Sequence, residues 1–239
     1  MTEQDLRLLL GFYKSLDFHE LIVSNQGQNE GMPSMGEDEF IFHNTESIEG
    51  ISYIKNSIGD CKLCKLHSTR KNIVFGEGSD RAEIMFIGEG PGADEDIQGR
   101  PFVGKAGQLL TNLIIKLGLT REAVYIANIV KCRPPENRDP EPDEISACIG
   151  FLKEQIRFIN PKVIVALGKV ATHSLLNIAE PLAKYSIMRE RGRLKEYVDK
   201  DLKIPLMPTY HPSYLLRNRQ AKWDVWEDMQ IVMRKIKNE

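Results

Sequence analysis

The chain has 239 residues, 41% of them hydrophobic and 28% charged, enough for one full α/β domain with its own core and a remnant besides. No apolar run reaches membrane-spanning length, and Glu3 and Asp5 stand where a secretory leader carries positive charge, so a cytoplasmic protein without a membrane role is expected. The net charge of −2 argues against nucleic acid, but its distribution does not. Residues 1–50 hold ten carboxylates against Arg7 and Lys14, a balance of −8 that leaves +6 for the rest, and a mildly basic body is compatible with a phosphate backbone.

In chain order, Leu6, Leu9, Leu10, Tyr13 and Leu16 predict an amphipathic helix over residues 2–18, and the Gly-, Asn-, Ser- and acid-rich residues 24–39 predict a mobile linker. Residues 1–46 therefore read as an acidic extension, either dispensable or a docking helix for an unknown protein partner, ahead of a domain over 47–239. Ile48, Ile51, Ile54 and Ile58 mark a helix running into Cys61, and Asn72–Phe75 an extended segment. Strands are expected at 83–87, 124–130, 163–167 and 206–209. Helices are expected from Gly104 to Lys116, after Pro142, from Gly168, and over 221–236; residues 193–198 are strand or loop. Strands alternating with helices predict an α/β fold, a three-layer α/β/α sandwich around a central four-stranded parallel sheet, without internal repeats.

The first strand opens into Gly88-Glu89-Gly90-Pro91-Gly92-Ala93-Asp94-Glu95-Asp96, and in open α/β sheets ligand crevices form at such strand ends. Gly88-x-Gly90-x-x-Ala93 fits a dinucleotide fingerprint. Pro91 removes a donor, the three carboxylates at 94–96 would repel a pyrophosphate, and the expected helix starts about ten residues too late to hold a phosphate. A neutral, hydrogen-bond-accepting ligand fits the loop better. Four cysteines, Cys61-x2-Cys64 and Cys132-x15-Cys148, suggest a metal centre rather than disulfides in a cytosolic chain, with structural zinc and plain buried thiols as alternatives. Asn128 ends the second strand, where its amide offers one donor and one acceptor face; this matches O4 and N3–H of uracil and mismatches cytosine. His211 ends the last strand, while His67 and His173 read as structural or solvent-facing.

Gly88-Glu89-Gly90-Pro91-Gly92, then Glu95-Asp96, then Gly99-Arg100-Pro101-Phe102-Val103-Gly104-Lys105-Ala106-Gly107-Gln108-Leu109-Leu110 closely resembles the first motif of the family 4 uracil-DNA glycosylases, and His211-Pro212-Ser213-Tyr214-Leu215-Leu216-Arg217 resembles their second. The resemblance covers roughly residues 50–235. It implies a monofunctional glycosylase that flips uracil out of single- or double-stranded DNA and hydrolyses the N-glycosidic bond. It implies a structural [4Fe–4S] cluster on Cys61, Cys64, Cys132 and Cys148, with Lys62, Lys65, Lys131 and Arg133 offsetting its charge or meeting phosphates. The base-reading Asn falls on Asn128, the stacking ring on Phe102, and the donor to uracil O2 on His211, helped by backbone N–H groups around Glu89 and Gly90, with Pro91 in the same loop.

Leu215, Leu216 and Arg217 are the expected wedge, with Ser213, Arg217, Arg219 and Lys222 near phosphates; ordinary helix packing is the alternative for the two leucines. Better-known uracil glycosylases have a water-activating Asp where Gly90 stands, so Asn137 or Glu95 is expected to position the water, unless Glu95 instead crowds the C5 side of the base. The stretch Arg133–Ile145 lacks the nucleophilic His of a covalent variant, so simple hydrolysis follows. A monomer is implied, cytoplasmic and nucleoid-associated if prokaryotic. A non-catalytic iron–sulfur nucleic-acid binder is the other reading.

Overall fold

The apolar run before the glycine loop forms strand β2 (Ile84–Gly88), buried along its whole length, and the sheet grows outward from it. The computed structural model describes residues 50–237. β2 pairs in parallel with β3 (Tyr125–Asn128) on one side and β4 (Val163–Leu167) on the other. β4 in turn pairs in parallel with β6 (Leu202–Thr209). These four are the expected parallel centre. β2, β3 and β4 are apolar at almost every position, as strands covered on both faces must be.

Two antiparallel strands close the edges. β1 (Glu77–Gly78) lies beside β3 and β5 (Lys195–Asp199) beside β6, in the order β1-β3-β2-β4-β6-β5. Two-residue β1 has no apolar pattern to announce it. β6 starts four residues before the expected Leu206, because Pro205 interrupts the strand pattern; Pro205 is paired on one side only, with β5, since the ladder with β4 begins at Leu206. Asn72–Phe75 is not a strand, although the Val74 N–H donates to Lys131 O at 2.8 Å.

The helices are α1 (Ile51–Ile58), α2 (Ala93–Gln98), α3 (Lys105–Lys116), α4 (Pro142–Ile159), α5 (Lys169–Leu175), α6 (Pro212–Arg217) and α7 (Ala221–Lys237). α2 was not anticipated: it begins directly behind the glycine loop, ahead of the expected helix, which is α3. On one face, Leu110 and Ile114 of α3, Leu215 of α6, and Val225, Met229 and Val232 of α7 pack on Phe86, Val165 and Met207. α4 reaches the other face, where Gln155 Nε2 donates to Tyr125 Oη at 3.1 Å. Among the described residues no helix is long and apolar enough to cross a membrane.

The described residues fall into two compact units divided between Ser57 and Ile58, within α1. The sheet and everything discussed below belong to the second. The expected helix at 2–18, the linker at 24–39 and the proposed partner surface lie outside the described residues.

Candidate active site

From β2 the chain moves outward to β3, then crosses back over β2 to reach β4. This reversal opens a crevice at the strands' C-terminal ends. Parallel pairing runs on past the strand ends, with Ile129 N–H donating to Gly88 O at 2.9 Å and Val130 N–H to Glu89 O at 3.1 Å. The glycine loop is thereby clamped to the segment behind Asn128. The crevice is a cavity of about 760 Å³. It brings together Glu89, Gly90, Pro91, Glu95, Phe102, Asn128, Asn137, His211, Ser213 and Arg217.

Two glycines are demanded by space. At Gly88 a Cβ would lie 2.5 Å from Phe102 Cζ and 2.6 Å from Asn128 Oδ1, so any side chain would push apart the ring and the amide. At Gly90 it would lie 2.8 Å from Val130 Cγ2, which leaves no room there for a carboxylate-bearing residue without a shift.

Phe102 adopts a left-handed backbone (φ +51°) and is 6% exposed. This conformation is costly for an aromatic residue and is held from outside. Arg121 donates to Phe102 O at 3.0 Å and to Pro101 O at 2.8 Å. Glu95 Oε1 accepts from Val103 N–H at 2.8 Å and Gly104 N–H at 2.9 Å. Glu95 thus builds the loop that presents the ring. Its Oε1 is occupied by those two backbone donors, while the residue still lines the cavity. The Phe102 ring lies 5.6 Å, centroid to centroid, from His211.

His211 caps α6. Ser213 N–H donates to its Nδ1 at 3.2 Å, and Ser213 Oγ lies 2.8 Å away. A backbone N–H can only donate, so Nδ1 is the acceptor and the proton sits on Nε2. Burial lowers the imidazole pKa to about 4, against an opposing pull from Glu95. His211 is a neutral Nε2–H donor at physiological pH.

Asn128 is 1% exposed, and its Oδ1 has no hydrogen-bond partner. A buried acceptor left open costs on the order of 1–3 kcal/mol, which a ligand donor recovers. Burial raises the carboxyl of Glu89 to about 7, reinforced by Asp139 and relieved by Lys169. Asn137, at the exposed rim, has φ +56°, and its Oδ1 accepts from Arg133 Nε at 2.8 Å.

The uracil DNA glycosylase superfamily model matches residues 75–230. The type-4 uracil-DNA glycosylase of Saccharolobus solfataricus is 47% identical over 186 residues, covering 77% of this chain and 86% of the relative. That of Thermotoga maritima is 46% identical over 193 residues, 80% of this chain and 97% of the relative. That of Archaeoglobus fulgidus is 42% identical over 181 residues, 76% and 90%. The chain belongs to the type-4 uracil-DNA glycosylases.

In this glycosylase helix α6 separates the two leucines. Leu215 is 7% exposed and sits in the core cluster, which rules out the wedge role expected of it. Leu216 is 48% exposed and keeps that role open. Neighbouring wall residues were not foreseen: Tyr185, Ser186, Ile187 and Met188 close one side of the cavity, on a stretch with no motif to reveal it. The Glu89 side chain was also overlooked, because glycines drew attention to the loop backbone.

The four cysteines line a second, small cavity with Arg70 and Lys131. Burial pushes the thiol of Cys64 up, that of Cys132 to about 11 and that of Cys148 to about 12. Donors already face the sulfurs. Arg70 Nη1 lies 3.6 Å from Cys132 Sγ and donates to Cys61 O at 2.7 Å, and Lys131 N–H lies 3.3 Å from Cys148 Sγ. Among the described residues no three candidate ligands converge on a point that would hold a single ion.

Of the four cations expected at the cysteines, Lys131 is buried, with Nζ donating to Asn128 O at 3.0 Å and Gln155 Oε1 at 2.6 Å, so it cannot meet a phosphate. Lys62 pairs with Asp60, Lys65 with Glu141, and Arg133 with Asn137. Arg70, not anticipated, is the cation against the sulfurs.

Proposed function

We propose that uracil, flipped out of DNA, enters the cavity between Phe102, Asn128 and His211, and that its bond to deoxyribose is hydrolysed there to leave an abasic site. Asn128 Oδ1, the open acceptor, takes the N3–H, and the amide NH₂ donates to O4. Cytosine presents an acceptor at N3 and a donor at N4, so both contacts fail. As the C1′–N1 bond breaks, its electron pair moves into the ring and onto O2 and O4. The Nε2–H of neutral His211 donates to O2 where that charge collects. A neutral donor stabilises the developing anion without having to lose a proton first.

Water adds to C1′ and must give up a proton. Glu89 accepts it: one oxygen of Glu95 is already occupied by two backbone donors, and Gly90 offers no side chain. A carboxyl titrating near neutrality is matched to that task. Asn137, with Oδ1 taken by Arg133, offers its NH₂ to hold the water's oxygen. Ser213 and Arg217 sit at the mouth for phosphates, and Leu216 fills the gap left by the flipped nucleotide. Cys61, Cys64, Cys132 and Cys148 would hold a [4Fe–4S] cluster that ties the segment before β1 to the loop after β3 and to α4; hydrolysis needs no electrons from it. The protein acts as a cytoplasmic monomer on single- and double-stranded DNA.

The partnerless Asn128 Oδ1 carries this reading. The test is a labelled uracil-containing oligonucleotide treated with the protein and then with alkali. Strand scission at the uracil is expected, with none at cytosine or thymine; an intact strand would refute catalysis.

A further inference from the structure

α6 has a cavity on each side. Its outer face, with α3 and α7, forms a second groove of about 710 Å³, unused by the chemistry above. Tyr210 lines both cavities, so the groove begins where the uracil pocket's wall ends. Both tryptophans of the chain, Trp223 and Trp226, line it, and Trp223 is 68% exposed. Lys116, Arg219 and Lys222 stand on the rim, all exposed, and no described carboxylate pairs with them.

The charge pattern separates this groove from its neighbour. The uracil cavity includes Glu89, Glu95 and Asp139. Among the described residues the groove has no acidic residue in its lining, in a chain with more acidic than basic side chains. Asp224, on the same turn as Trp223, is turned to Arg191, 3.6 Å away. An exposed indole on an apolar floor, ringed by cations that no described carboxylate pairs, is the arrangement that stacks an unpaired base and holds its phosphate.

We propose that this groove is a second nucleic-acid subsite, taking an unpaired nucleotide of the strand that carries the flipped uracil, with Trp223 as the stacking platform and Lys116, Arg219 and Lys222 on the phosphates. The proposal rests on the glycosylase reading and extends it: single-stranded DNA would be gripped at two points, on either side of α6.

The test uses the full chain and its own fluorescence, since both tryptophans report from the groove. A uracil-free oligothymidylate should quench that fluorescence, with a midpoint that weakens steeply as salt rises. Trp223→Ala, a surface change, should raise KM for a uracil-containing single strand roughly tenfold, with the loss confined to KM. Arg219→Ala with Lys222→Ala should flatten the salt dependence of binding. Unchanged fluorescence at an oligothymidylate concentration that saturates the enzyme overturns the proposal, as does an unchanged KM in Trp223→Ala. Quenching by an acidic amphipathic peptide but not by oligothymidylate would also overturn it, marking a protein-docking face. Uracil release by Trp223→Ala at saturating substrate separates failure of the subsite from failure of the glycosylase reading.

Discussion

The pocket proposed for uracil and the cysteine cavity lie close together, joined through Lys131, yet they are built on opposite principles. In the pocket polar groups are left wanting. Asn128 Oδ1 has no donor, Glu89 is pushed up to about 7, and His211 is pushed down to about 4. Around the sulfurs the donors are already in place, from Arg70 and from the Lys131 backbone. A region that recognises a visiting ligand keeps its hydrogen bonds open, at a cost in stability. A region that holds a resident charge arranges its donors in advance. Changes in the first should therefore cost function and spare the fold, and changes in the second should cost the fold.

The largest effect is expected at the cysteines. Cys148→Ala should lose iron and sulfide together and lower Tm by about 10 °C or more, because ligation free energy at such a site is folding free energy. Metal analysis with a thermal melt checks it; an iron-free variant as stable as the parent would break the contrast. Next come Asn128→Ala and His211→Ala. Each should lower uracil excision by about 10²–10³-fold, the loss seen when one preorganised donor is removed. Asn128→Ala should leave Tm within a few degrees, since it also removes an unsatisfied buried acceptor. A Tm drop as large as that of Cys148→Ala would show that the pocket is structural as well.

How much of this was readable beforehand follows the same divide. The four parallel strands were legible because double burial writes itself as unbroken apolar runs such as Ile84–Ile87 and Val163–Leu167. The edge strands were less so, since β1 has two residues and the stretch holding β5 reads equally as strand or loop; the start of β6 was missed as well, because Pro205 breaks its pattern. The residues that meet at the sheet edge could be named because Asn128 and His211 are out of place on strand ends, and such misfits mark function. What the sequence could not show is how each side chain is occupied. Glu95 and Glu89 look alike on paper; only the backbone N–H groups of Val103 and Gly104 reveal that one oxygen of Glu95 is taken. Leu215 and Leu216 are likewise adjacent and chemically identical. A helix turns one inward and the other outward, and the packing of α6 on α3 decides which.

Glu89 gives a graded test. If its carboxylate accepts the proton, kcat/KM should rise with pH through about 7, and Glu89→Gln should be roughly 10²-fold slower at pH 8 with that rise abolished. His211 adds no limb there, because it is neutral at every pH above about 4. Stability should move the other way. A carboxyl raised from 4.5 to about 7 on folding weakens the fold progressively as pH climbs through that interval, and does nothing below it. Glu89→Gln should then melt higher than the parent at pH 8 and equally at pH 4. A pH-rate profile that keeps its rise in the variant would return the proton to another group.

The smallest effect belongs to Leu216. Its side chain is half in solvent, so Leu216→Ala removes little packing, and Tm should not move measurably. A wedge matters only where a base pair must be opened and the gap filled. The variant should therefore lose up to about tenfold in kcat/KM on duplex DNA, matching unstacking costs of a few kcal/mol that the wedge offsets in part, and lose almost nothing on a single strand. Equal losses on both substrates would mean that Leu216 shapes α6 rather than entering the helix. The buried Leu215, replaced by Ala, should show the opposite pattern, with a Tm lowered by a cavity under α6 and no preference between the two substrates.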